Sequence, residues 1–107
     1  MPSRREKIEA LLAQEPADAF LRYGLAIEYD NEGQFEEALA LFQGLQRDQT
    51  PHVAAYFRGA QLLVRMERID EARSWLREGI EAARQQGNAH AAGEMSELLA
   101  SLGSLGE

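Results

Sequence analysis

His52 and His90 are the only histidines, so acid–base or metal chemistry near neutral pH has to be sought around them first. On a helix, His90, Glu94 and Glu97 would bring one imidazole and two carboxylates toward one face, as some metal ligands are arranged. A surface histidine beside glutamates near a helix start has the same spacing. His52 belongs to no catalytic or metal-binding pattern. The adjacent carboxylates Glu36 and Glu37 diverge on a helix, which suits an acidic first turn better than paired acid–base catalysis. Cysteine is absent, which removes thiolate nucleophiles, disulfides and cysteine-ligated metals together and fits a reducing compartment. There is no glycine-rich phosphate loop, nucleophile elbow or zinc signature. The residues imply no catalytic site, no metal and no cofactor, and the expectation is a protein that is not an enzyme.

Recognition chemistry is better represented. Arg58 and Arg65 lie seven residues apart, two turns along one helical face, and could meet an acidic group or pair with nearby glutamates. Arg73, Arg77 and Arg84 are interleaved with Glu78 and Glu81, the pattern of a solvated face. Trp75 suits either a packed interior or an interface anchor. The formal charge of −7 is spread unevenly, with the acid excess in residues 17–50 and 87–107. Such a surface repels phosphate, so no nucleic acid is expected as a partner. No run approaches the roughly 18 apolar residues of a membrane span, and Met1–Lys7 lacks the apolar core of a signal peptide. No membrane partner is therefore expected, and the cytoplasm is the expected location. Starting at Met1, the sequence reads as a complete small protein or as the start of a longer one.

These side chains must be positioned by helices. With 107 residues, 45% of them apolar and 27% charged, the chain fits one folded domain. From Phe20 through Val64 the only β-branched residues are Ile27, Thr50, Val53 and Val64, too few to build strands. Punctuation by glycine, proline and capping residues predicts helices near 3–14, 18–31, 35–47, 52–66, 69–86 and 89–102. Pro16 ends the first, and Gly33 separates the second from the third. Thr50 and Pro51 read as an N-cap followed by proline at the first helical position. Gly87 suits a left-handed helix end, and Asn88 suits the next cap. The segments also repeat: Gln34-Phe35-Glu36-Glu37-Ala38 corresponds to Arg68-Ile69-Asp70-Glu71-Ala72, an offset of 34 residues.

On these residues the chain resembles the tetratricopeptide repeat family in its small, bacterial-type form. Leu25, Ala26, Tyr29, Gly33, Ala38, Phe42 and Leu45 match the signature of one unit. Tyr56, Gly59, Ala60, Leu63, Ala72, Leu76 and Gly79 match the next. The departures are Arg22 in place of an aromatic residue, Glu67 in place of the turn glycine, and Arg84 in place of the closing proline. The resemblance implies an all-α fold of about six helices, a right-handed stack of antiparallel hairpins forming an α-solenoid. Residues 1–102 would be a single domain, with a half-repeat cap over 3–15, repeats over 19–52 and 53–86, a capping helix over 87–102, and a flexible tail over 103–107.

The same resemblance implies a non-catalytic scaffold or adaptor that binds a peptide or helix of another protein in a concave groove. Carried over, its groove positions are Phe20, Tyr23, Ile27 and Asp30, then Ala54, Phe57, Gln61 and Val64, with Arg58 and Arg65 at the edge. Phe20, Tyr23 and Phe57 would otherwise fold into the core or under the last helix. The family's basic carboxylate clamp is not reproduced at Tyr23, Ile27, Phe57 and Gln61. The alternative is a self-associating homodimer that uses the groove or the Met95, Leu98, Leu99 and Leu102 face.

Overall fold

The computed structural model describes residues 1–103. Six helices run in order: α1 Arg4–Gln14, α2 Ala19–Asn31, α3 Phe35–Gln46, α4 Val53–Arg65, α5 Ile69–Gln85 and α6 Ala89–Ser101. No strand occurs among the described residues, and each sequence-derived boundary lies within one residue of the observed one. The expected tail begins at Gly103, and from residue 104 it lies outside the described residues.

Local chemistry sets the helix ends. Ser3 and Glu6 form a reciprocal capping box, and the Asp18 carboxylate accepts the Leu21 N–H at 2.9 Å. Asn88 Oδ1 accepts the Ala91 N–H at 3.1 Å, as expected of a cap. Thr50 and Pro51 do not cap α4. The helix begins at Val53 with His52 as its extended N-cap residue and no side-chain cap, because the loop is fixed by other bonds. His52 N–H donates to the Leu45 carbonyl at 3.1 Å, and the Gln86 side chain donates to the Pro51 carbonyl at 2.8 Å.

Three helix ends share one turn. The Gln34, Arg68 and Asn88 N–H groups each reach back 2.8 Å to the carbonyls of Tyr29, Leu63 and Ala83, while the preceding residue donates to Asp30, Val64 or Arg84. This is the Schellman arrangement, which requires a left-handed residue just past the helix. Gly33 and Gly87 supply it at φ 78° and 71°, and Glu67 is forced into it at φ 62°. Glu67 therefore stands where its counterpart 34 residues earlier is a glycine.

The hairpins stack in line. Each helix packs on its neighbours in sequence, and α4 also meets α6. The molecule measures 46 × 30 × 19 Å with a radius of gyration of 14.3 Å, above the ~13 Å of a compact domain of this length. It is thus a layered stack and not a bundle round one axis. One continuous core runs from Ala26 to Leu102. Its second hairpin is built on two exchanges of bulk. Gly59 leaves room for the edge of Trp75, and Gly79 for Tyr56 and Met95, so that a methyl at Gly79 would lie 2.6 Å from both. The residues 34 positions earlier are Leu25 and Leu45, which fill those places with their own side chains.

The end helices differ. No residue of α1 is buried, and Arg4 and Arg5 bind it to Glu28 of α2 and to Glu32 just past the end of that helix, at 3.6 and 3.0 Å. The stripe on α6 that could have met another chain is turned inward. Met95 and Leu102 are buried and Leu98 and Leu99 half-buried against the chain's own core, so that face is not free as a whole for a second copy.

The strained turn yields a stability test. Glu67→Gly removes the left-handed penalty on a side-chain-bearing residue and is expected to stabilise the fold by about 0.5–1 kcal/mol. Urea unfolding should show a higher midpoint at unchanged slope; a lower midpoint would contradict the assignment of strain.

Candidate functional site

Three helices separated by the repeat period border one surface. Asp30 and Asn31 at the end of α2, Arg58, Gln61, Val64 and Arg65 on α4, and Leu98 on α6 enclose a cleft of about 400 Å³. Asp30, Val64 and Leu98 lie at successive steps of 34 residues, so the stack delivers the same helical position three times to one wall. Asp30 is only 5% exposed, and Arg65 covers its carboxylate at 2.6 Å, joining α2 to α4 across the cleft floor. The partner guanidinium is 55% exposed, so water screens the pair and its contribution to stability is modest.

The ten residues expected to form a groove fall into three groups. Asp30, Arg58, Gln61, Val64 and Arg65 meet at the cleft. Tyr23, Ile27 and Phe57 are half-buried and pack against the core. Tyr23 lies 5.9 Å from the Phe42 ring and 5.0 Å from His52. Its burial raises the phenol pKa against the opposing pull of Arg58. Phe20 and Ala54 are exposed in the first turns of α2 and α4, at the far end from the cleft, and Phe20 is 79% exposed. The final helix supplies Leu98 to one wall and leaves the cleft open.

Asn31 and Leu98 were not among the expected residues. Leu98 is legible in the sequence, because carrying Val64 forward by one period lands on it, although its place in an apolar stripe on α6 equally suits self-association. Asn31 carried no signal beyond adjacency to Asp30. His90 Nε2 lies 3.3 Å from Glu94 at a well-exposed position, and no group of three metal-ligating side chains occurs among the described residues. No helix among those residues is long and apolar enough to cross a membrane.

Comparison with known proteins agrees with this architecture. A tetratricopeptide repeat family model matches residues 31–102. The solution NMR structure of a tetratricopeptide repeat domain protein from Salinibacter ruber is similar, with a TM-score of 0.78 and 32% identity over 84% of this chain and 91% of that one. A crystal structure of a tetratricopeptide repeat domain protein from the same organism gives 0.74 and 32% over 82% and 98% of the two chains. The solution structure of a Bordetella parapertussis protein gives 0.78 and 28% over 95% and 89%. No curated protein matches the chain.

His52, between Tyr23 and the loop before α4, makes the stability of this region depend on pH. Burial lowers its pKa, Arg22 acts in the same direction and Asp48 opposes them. The unfolded chain therefore takes up the proton more readily than the folded one. The neutral ring's contribution is fully present above the ordinary histidine value of 6.5 and declines as pH falls below it. Between about pH 7.5 and about pH 5.5, the wild type should lose more stability than His52→Gln in urea unfolding. Equal losses would remove this role.

Proposed function

The chain belongs to the tetratricopeptide repeat family, and we propose that it is a non-catalytic protein-binding module that seats a peptide or helix of another protein in the cleft between α2, α4 and α6. Proteins of this family generally act as scaffolds for protein–protein interaction. Residues 19–52 and 53–86 serve as its two repeats, with α1 and α6 as the flanking half-units. Phe20, Tyr23, Ile27, Ala54 and Phe57 extend the binding face along the same helices, away from the cleft.

Arg58 carries the proposal. Arg4, Arg5, Arg22, Arg65, Arg68 and Arg73 all pair with carboxylates. Lys7, Arg47, Arg77 and Arg84 have no such pair among the described residues but are exposed to water. Arg58 is half-buried and has no carboxylate partner among the described residues, although acids outnumber bases 18 to 11. A guanidinium held at the cleft wall without a counter-ion suits a ligand that brings its own acceptor. Val64 and Leu98 beside it suit an apolar side chain next to that acceptor. The second reading, a homodimer, rests on Phe20, whose ring stands almost wholly in water at the start of α2.

Arg58→Ala combined with Gln61→Ala tests the cleft without removing the half-buried Tyr23 and Phe57, which also support the core. In affinity capture from the native host, the double variant should recover the proteins bound by the wild type at about tenfold lower yield. Equal recovery by both baits would overturn the cleft as the binding site.

A further inference from the structure

The face opposite the cleft has a feature that peptide binding between α2, α4 and α6 does not use. There α3 and α5 flank a furrow, and Trp75 lies half-buried within it with its ring edge over the bare backbone of Gly59. A hollow opens on each side of the ring. The larger, about 430 Å³, reaches Gln46, Tyr56 and Glu78; the smaller, about 190 Å³, reaches Leu39 and Arg68. Gln43 and Trp75 border both, so the hollows form one track along the furrow. None of the side chains lining it lines the cleft on the other face.

In the larger hollow, Gln46 is 8% exposed and its Nε2 has no hydrogen-bond partner among the described residues. A buried amide N–H without an acceptor is rare in folded proteins, because it has given up water for nothing. The furrow's other polar side chains either bond within the protein or, like Gln43, Arg47, Ser74 and Glu78, are exposed to water. Arg68 bridges Glu36 and Glu71 at 2.7 Å, and the Tyr56 hydroxyl approaches the Gln46 main-chain carbonyl at 3.5 Å. The site therefore lacks an acceptor beside an aromatic surface. The same hollow carries one cation and one anion, Arg47 and Glu78, whose charges offset each other, so a neutral carbonyl fits it without a charge mismatch. The last side-chain torsion of glutamine is soft, so the Gln46 amide can turn to the mouth of the hollow without moving α3.

We propose that the α3–α5 furrow is a second docking surface, occupied by an extended segment of a partner protein that offers a main-chain carbonyl to Gln46 and lays an apolar side chain against Trp75. An extended chain places successive side chains on opposite sides, which matches a ring flanked by two hollows. Trp75 is the sole tryptophan, so its fluorescence reports occupation directly.

The test uses a displayed library of random twelve-residue peptides, selected on the full chain carrying Arg58→Ala and Gln61→Ala so that the cleft is disabled. Enriched peptides are then titrated while Trp75 emission is followed. The expected result is equal affinity for the wild type and the cleft variant, with a loss of about tenfold for Gln46→Leu and a larger loss for Trp75→Leu, the last read by the anisotropy of a fluorescein-labelled peptide because that variant has no tryptophan. Gln46→Leu replaces the unpartnered amide by a side chain of similar size and should keep the wild-type melting temperature or exceed it, so lost binding would not reflect lost fold. Failure to enrich any peptide would overturn the proposal, as would enriched peptides that bind Gln46→Leu as tightly as the wild type. Neither result bears on the cleft, which the lysate capture tests separately.

Discussion

Where helices of this stack approach one another, there is room for little more than a methyl group. Ala26 and Ala38 in the first hairpin, and Ala60 and Ala72 in the second, have no exposed surface and belong to a single core. Small residues let helix axes come close enough for side chains on either side to interdigitate. Because these alanines recur at a constant step, so does the approach, and the second hairpin is laid on the first in the same orientation. The elongated outline of the molecule follows from that repetition.

Both candidate surfaces are consequences of the same step. On one face, a position repeated through Asp30, Val64 and Leu98 lines a cleft, and its chemistry changes from carboxylate to valine to leucine along the stack. Arg65 satisfies the carboxylate, leaving Arg58 as a cation of the cleft lining with no counter-charge among the described residues. On the other face, the departures from strict repetition matter more. Gly59 and Gly79 give up their side chains so that Trp75, Tyr56 and Met95 can occupy the space, and this exchange brings an indole to the surface beside the unpartnered amide of Gln46.

The fold was legible because its signals are local and repeated. Pro16, Gly33, Gly87 and Asn88 act at helix ends through their own side chains or through backbone freedom or restriction, and those ends fall where these residues indicate. The sequence places the start of α4 one residue early, because Thr50 and Pro51 look like a cap while the Leu45 carbonyl and the Gln86 side chain fix the loop from a distance. The site was legible in part. The groove positions implied by the family resemblance include Asp30, Gln61 and Val64, the two-turn spacing adds Arg58 and Arg65, and all five line the cleft. Neither signal indicates how far a side chain sinks between helices, which separates half-buried Tyr23 and Phe57 from solvent-exposed Phe20. The furrow had no motif, since an unpartnered Gln46 amide becomes visible only once α3, α4 and α5 have packed.

The claim that these alanines set the stacking distance is tested most directly by comparing two enlargements on one helix. Ala60, wholly buried, and Ala54, exposed in the first turn of α4, each become leucine, and urea unfolding is measured for both. The account predicts a loss of about 2–3 kcal/mol for Ala60→Leu and a change within about 0.5 kcal/mol for Ala54→Leu. Similar small changes at both positions would contradict it.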